Sequence, residues 1–269
     1  LSEAAAELFR ADNPGVQVTV GTSGTGGGFE KFCNAETDIS DASRPIKDEE
    51  KALCDDKGIT FESFTVANDA LSVVVNKDND FIDCITTDQL KAIWEPGSKV
   101  KTWNQVDPKF PNDKIDLFGP GTDSGTFDFF TGVINGEEGA SRTDYTPSED
   151  DNVLVQGVAG SQGGLGSFGY SYFEENQDEL KALEVDSGSG CVGPGVETVQ
   201  DGTYTPLGRP LFIYPKTDAM KRPEVVAFVE YYVEQNKQVA EESKFIPLND
   251  QQESNLQAAL DKLKSQVGG

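Results

Sequence analysis

Three stretches of the sequence gather hydroxyls, glycines and one cation where a strand-like segment gives way to a helical one. In the first, Ser23-Gly24-Thr25-Gly26-Gly27-Gly28 leads into Phe29-Glu30-Lys31-Phe32. Backbone N–H groups freed of side chains, beside a helix start carrying about half a positive charge, form a cradle for a tetrahedral anion. The hydroxyls of Ser23 and Thr25 add donors. The stretch is not a nucleotide P-loop, because no Gly-Lys-Ser/Thr follows, and Phe29 stands where the last glycine of a dinucleotide loop would be. A plain glycine turn is the alternative. In the second stretch, Asp123-Ser124-Gly125-Thr126 opens a run bearing Phe127, Phe130, Val133 and Ile134; the alternative here is an ordinary helix cap with Asp123 as N-cap. In the third, Ser43-Arg44 precedes Pro45-Ile46, and Arg44 offers its guanidinium either to the same anion or to a surface ion pair. Two hydroxyl-rich helix starts roughly 100 residues apart, with an arginine at a third, suit a site converging on one small oxyanion.

Other chemistries are narrowed by what is absent. The sequence has no histidine, which removes the commonest general base, metal ligand and neutral-pH switch. Cys33, Cys54, Cys84 and Cys191 show no CxxC spacing, so neither a zinc cluster nor a thioredoxin-type couple is expected. Their even number suits two disulfides, with buried thiols as the alternative. The expected pairs are Cys33 with Cys54, inside one segment, and Cys84 with Cys191, joining a helical region to a glycine-rich loop; four cysteines allow three pairings. Acidic residues are so numerous that paired-carboxylate glycosidase chemistry cannot be read from spacing.

The elements that must position these residues alternate. Leu1, Ala5, Leu8 and Phe9 lie on one helical face, and Leu1 already sits inside that pattern with no starter Met and no N-cap, as in a chain that begins further upstream. Val16, Val18 and Val20 alternate as a strand, Asp38 to Ser43 reads as another, and a helix is expected from Arg44-Pro45 onward. Leu71-Ser72-Val73-Val74-Val75 has the continuous apolar character of a strand covered on both faces, and Thr86-Thr87-Asp88-Gln89 caps a helix carrying Leu90, Ile93 and Trp94. Asp116 to Pro120 is a strand before the second cradle. Glycine-rich tracts from Gly157 to Gly169 and from Ser187 to Gly195 read as ordered surface loops. Arg209 to Pro215 is a strand, Arg222-Pro223-Glu224 starts a helix, and Asn249-Asp250 caps a last one bearing Leu256, Leu260 and Leu263.

At 269 residues the chain is long enough for one large domain or two modest lobes, each with its own core. Its 22 basic and 47 acidic residues give a formal charge of −25, a field that repels nucleic acid and anionic lipid headgroups. Sixteen Phe, seven Tyr and two Trp are too many for a disordered chain. No run approaches the 18 or so apolar residues of a membrane span.

Several blocks in order, TSGTGGGFEKFCNAETDISDASRPI, FGPGTDSGTFDFF, LGRPLFIYP and KFIPLND, resemble the periplasmic or cell-surface phosphate-binding proteins of bacterial phosphate ABC transporters, and the resemblance covers nearly the whole chain. It implies an α/β, two-lobed periplasmic-binding-protein fold of type II with the ligand in the cleft between lobes. The lobes are expected at 1–70 with 210–269, and at 71–209. It also implies that Ser23, Gly24, Thr25, Ser43, Arg44, Asp123, Ser124, Gly125 and Thr126 bind phosphate. The family places an aspartate where Ser43 falls and an arginine shortly before its SGT motif; Pro120 and Gly121 occupy that region here, so Arg44 becomes the candidate cation and Asp123, with Asp41 as alternate, the candidate proton acceptor. The family also begins with a strand and a GSSTV-like loop just before the helix that opens this sequence.

The implied function is capture of inorganic phosphate, with arsenate as a competitor, and delivery to a membrane permease. The expected protein is a monomer without cofactor, metal or nucleic-acid partner, not an enzyme, in the periplasm or on the outer face of the cell membrane, with a lipid anchor upstream of residue 1. Two alternatives stand beside this. One is a receptor or surface-interaction protein that kept the fold with weakened ligand binding. The other is a phosphatase or phosphotransferase, against which count the absent histidine and the lack of a metal cluster or base-paired nucleophile.

Overall fold

Short helices and strands alternate through residues 1–267, the part of the chain that the computed structural model describes. They form two units, one of residues 1–68 with the segment from 210 onward, the other of residues 69–209.

The first unit begins with α1 (Ser2–Asp12), α2 (Gly24–Cys33), β1 (Ile39–Ala42), α3 (Asp48–Asp56) and the first part of β2 (Phe64–Asn76). The second contains the rest of β2, then β3 (Cys84–Thr86), α4 (Thr87–Trp94), β4 (Asp116–Pro120), α5 (Gly125–Phe130), β5 (Thr146–Ser148), α6 (Asp151–Gly160), β6 (Gly164–Gly169), α7 (Tyr170–Glu175), β7 (Leu180–Ala182), β8 (Glu184–Asp186), β9 (Cys191–Val192) and α8 (Val196–Gln200). Strand β10 (Gly208–Pro215) returns to the first unit, which closes with α9 (Pro223–Glu234), α10 (Asn236–Glu242) and α11 (Asp250–Val267).

In the first unit Ala5 and Phe9 of α1 pack with Phe228, Val229 and Tyr232 of α9 and with Leu256, Leu260 and Leu263 of α11. Local chemistry sets these boundaries. Pro223 opens α9, where a missing N–H costs nothing. Before α11, the Asn249 Oδ1 accepts from the Gln252 N–H at 2.9 Å while the Gln252 Oε1 accepts from the Asn249 N–H at 3.0 Å, a reciprocal cap. A smaller core of Phe29, Phe32, Cys33, Cys54 and Tyr214 joins α2, α3 and β10, with β1 antiparallel to β10 and Cys33 bridged to Cys54.

In the second unit the distal part of β2 pairs antiparallel with β6, from Leu71 opposite Gly169 to Val75 opposite Leu165, and also with β7. Strand β4 lies parallel to both β6 and β5. Val74, Leu154, Val155, Val158, Phe168 and Leu180 form the core beneath α6. A small sheet in the order β3, β8, β9 carries the bridge from Cys84 to Cys191. The Leu71 N–H donates to the Leu207 carbonyl at 2.9 Å and the buried Tyr204 hydroxyl to the Leu71 carbonyl at 2.7 Å, so β2 is tied to the chain entering β10.

Several expectations need correction. Val16 to Val20 forms no strand: Val16 and Val18 lean on the first core, but the segment has no ladder partner among the described residues, and alternation without a partner does not make a sheet. The helix expected from Arg44-Pro45 starts at Asp48, with the Glu50 carboxylate accepting from the Lys47 N–H at 2.9 Å. The tract from Gly157 to Gly169 is not a surface loop but the end of α6 and the buried strand β6. Its glycines permit close packing, since a Cβ on Gly166 would lie 2.7 Å from Val158 Cγ2. Val133, expected on the apolar face with Phe130, is exposed, because the helix passes from α into a wider π turn at Thr131–Asn135.

Candidate anion site

In the first unit the glycine run is itself the opening of α2. Ser23 is the N-cap residue and Gly24 the first helical residue, with φ +63, a value glycine adopts without strain. The first N–H groups of a helix have no partner within it, so those of the Gly24 turn are available to an acceptor. A Cβ on Gly28 would stand 3.1 Å from Ser40 Oγ, so the missing side chain lets α2 settle against β1. That contact brings the helix start to the end of β1. Thr25 Oγ1 and Ser43 Oγ lie 3.1 Å apart and the Ser43 N–H donates to Thr25 Oγ1 at 3.2 Å, joining two residues expected at the site. Two hydroxyls sharing one hydrogen bond leave one O–H proton to give away, whichever of them donates.

Arg44 is committed to a neighbour. Its Nη1 and Nη2 donate to Glu50 Oε2 and Oε1 at 2.8 and 2.7 Å, and Nη1 also reaches the Pro45 carbonyl at 3.1 Å. Burial pushes the Glu50 carboxyl up, but the Arg44 and Lys47 hydrogen bonds and charges outweigh it and hold the group below its ordinary value. Both Arg44 Nη2 and Glu50 Oε1 come within 3.9 Å of where a Gly26 Cβ would stand, so the pair flanks the start of α2. Asp41 accepts from the Ser2 hydroxyl at 2.8 Å.

In the second unit β4 runs through Gly121 into α5. The cap is Ser124, not Asp123: Ser124 Oγ accepts from the Thr126 N–H at 3.1 Å. This follows from a turn in which the Ser124 N–H bonds back to the Gly121 carbonyl at 3.1 Å, placing Asp123 one residue outside the helix. Its carboxylate is exposed, and its N–H donates to Glu149 Oε1 at 3.4 Å. Glu149 lies so close that a Cβ on Gly121 would overlap its carboxylate.

Residues not singled out from sequence gather in the same unit. Arg209 donates through Nε to Asp69 Oδ2 at 3.0 Å, its Nη2 lies 3.0 Å from the same oxygen, and its guanidinium carbon is 3.7 Å from the Phe129 ring centroid. Asp151, the first residue of α6, is half-buried and accepts from the Gly169 N–H. Burial first, then the charges of Asp150, Asp69 and Glu149, push its carboxyl up to about 6. Asp69 and Arg209 are 140 positions apart, and no local pattern announces such a pair.

Among the described residues the only grouping with metal-ligand character is Cys84, Glu184 and Cys191, and both sulfurs are spent in a disulfide. Among the described residues, too, no helix is long and apolar enough to cross a membrane.

A helix start opened by glycine and hydroxyl residues in each of two α/β units is the arrangement of a solute-binding protein, and the description "PBP superfamily domain" fits residues 1–236. The chain belongs to that superfamily. Within it, the chain is 43% identical over 261 residues to the phosphate-binding protein PstS of Staphylococcus saprophyticus, covering 96% of this chain and 79% of the relative. It therefore belongs to the family of the phosphate-binding protein PstS, and the two-lobed fold expected from sequence holds. It is also 49% identical over 251 residues to protein SphX of Synechococcus elongatus, covering 92% of this chain and 74% of that one. A solved structure, described as a possible phosphate binding protein from Planctomyces limnophilus, superposes with a TM-score of 0.92 at 47% identity, over 97% of this chain and 93% of the other.

Proposed function

We propose that this protein captures inorganic phosphate outside the cytoplasmic membrane and delivers it to the permease of an ABC transporter, as a monomeric binding component and not as an enzyme. The observation that carries the reading is the pairing of Thr25 with Ser43 at the start of α2. It leaves one hydroxyl proton and the first helical N–H groups for an acceptor, which are the donors a dehydrated phosphate needs. The second unit supports it with the Ser124-Gly125-Thr126 start of α5, where Ser124 Oγ already accepts and its own proton can be donated. Ser23, Gly24, Arg44 and Asp123 complete the set. Arsenate, with the same shape and protonation, competes for it. The two disulfides suit an oxidising compartment, whether the periplasm or the outer surface with a lipid anchor upstream.

Calorimetric titration with phosphate, arsenate and sulfate tests this. Saturable binding of phosphate, displaced by arsenate and far less by sulfate, is expected. No heat with phosphate, or equal affinity for sulfate, would overturn the reading.

A further inference from the structure

The phosphate reading leaves the second unit with hydroxyl and backbone donors but no cation, since Pro120 and Gly121 stand just before the α5 motif. We propose that Arg209, held by Asp69 and stacked on Phe129, is the guanidinium that meets the ligand in this unit. The inference rests on the reading of the protein as a phosphate binder.

Three observations lead there. First, Arg209 is only partly used. Nε and Nη2 both turn to a single oxygen of Asp69, and Nη1 has no hydrogen-bond partner among the described residues. An arginine brings five N–H donors, so a guanidinium with one whole nitrogen unspent can still receive an anion. Its side chain keeps 18% of its exposure, enough for an approach from solvent. By contrast, both Nη atoms of Arg44 are engaged by Glu50.

Second, its position is fixed. Asp69 and Arg209 are the first and last residues of the second unit, standing on β2 and β10, and the tie between Leu71 and Leu207 holds the same two segments two residues further in. The ion pair and the ring contact leave the guanidinium little freedom, so less entropy is lost when a ligand arrives.

Third, the ring beneath it belongs to the α5 motif. A helical side chain lies over the turn preceding its own Cα, so Phe129 covers the level of Gly125 and Thr126. The guanidinium 3.7 Å from that ring is thereby carried to the side of the Ser124-Gly125-Thr126 start. A Cβ on Gly125 would meet nothing within 4 Å, so there is open space at this turn. Asp69 is the acidic partner of Arg209 and also, with Asp150 and Glu149, one of the charges that bear on Asp151, so without Arg209 the Asp69 carboxylate would lose its cation in an acidic neighbourhood.

The test is phosphate calorimetry and thermal unfolding on the wild type, Arg209→Gln, Arg209→Lys and Asp69→Asn. Arg209→Gln should weaken phosphate binding roughly 10- to 100-fold, the loss of a charge-assisted hydrogen bond, and Arg209→Lys should recover part of that. Asp69→Asn breaks the same ion pair but leaves the guanidinium, so it should lower the melting temperature as Arg209→Gln does while weakening phosphate less than about 3-fold. If Arg209→Gln bound phosphate as the wild type does, or if both variants lost affinity equally and in step with stability, Arg209 would be a strand tie and the inference would fall. If Arg209→Gln does not fold, the comparison of Arg209→Lys with Asp69→Asn decides by the same criterion. A wild type that binds no phosphate refutes the functional reading instead.

Discussion

Replacing Asp151 with Asn should stabilise the protein at pH 8 and flatten its stability profile between pH 4 and pH 8. Asp151 starts α6 with its carboxylate half-buried, receiving one hydrogen bond from the Gly169 N–H at the end of β6 and facing Asp150 beside it, Glu149 before it and Asp69 on β2. Its carboxyl rises from the ordinary 3.8 to about 6. Between those values the folded chain holds a proton that the unfolded chain has released. The contribution of Asp151 is therefore fully present below about pH 4 and is lost as the pH rises through about 6. At 1.36 kcal/mol per pH unit the gap sets a ceiling of about 3 kcal/mol, and solvent access to a half-exposed group reduces it to about 1–2 kcal/mol. Asn cannot ionise yet keeps an oxygen for the Gly169 N–H, so it removes the charge without removing the bond. Urea denaturation at pH 4.5, 6 and 8 should show a gain of about 1–2 kcal/mol at pH 8 shrinking to within about 0.5 at pH 4.5. A variant less stable than wild type at pH 8, or a gain independent of pH, would refute the reasoning.

Three further outcomes follow from the same geometry. Opening the Cys84–Cys191 bridge by Ser substitution, which frees a separation of 107 residues, should cost about 4–5 kcal/mol, and opening the Cys33–Cys54 bridge, with a separation of 21, about 3 kcal/mol; equal losses by guanidinium denaturation would argue against an unfolded-state origin. Arg44→Ala should weaken phosphate binding by about 1–2 kcal/mol, modestly because Glu50 already engages both Nη atoms, and unchanged affinity in calorimetry would make Arg44 a partner of Glu50 alone. Asp123→Asn should leave the melting temperature unchanged, since Ser124 is the cap, while sulfate gains on phosphate by about 1 kcal/mol in competition titrations; a constant ratio would remove Asp123 as proton acceptor.

What was legible in the sequence was mostly what neighbours along the chain decide. The Thr86–Gln89 cap of α4, Pro223 at the start of α9 and the Asn249 cap of α11 are set within four residues, and each appears where the pattern puts it. The hydroxyl clusters were visible for the same reason, because Ser23 to Thr25 and Ser124 to Thr126 are contiguous. Features that depend on distant partners were not. Val16 to Val20 alternates perfectly and forms no strand, because pairing lies outside the segment. The glycines of β6 look like loop residues until Val158 is seen pressed against them. The Asp69–Arg209 pair involves two of 69 charged residues, and only the fold selects it from the rest.

The Cys84–Cys191 bridge also changes what a protease can do to this molecule. Any single cut between those residues opens a covalent ring, so both new ends remain attached through sulfur. The turn at Asp186 to Gly190 offers such a place, with Gly188 and Gly190 at positive φ and their N–H groups both held by Asp186 Oδ1. A molecule nicked there keeps Val185 opposite Val192 in the small sheet and stays one species under non-reducing conditions, separating into two fragments only when the disulfide is reduced.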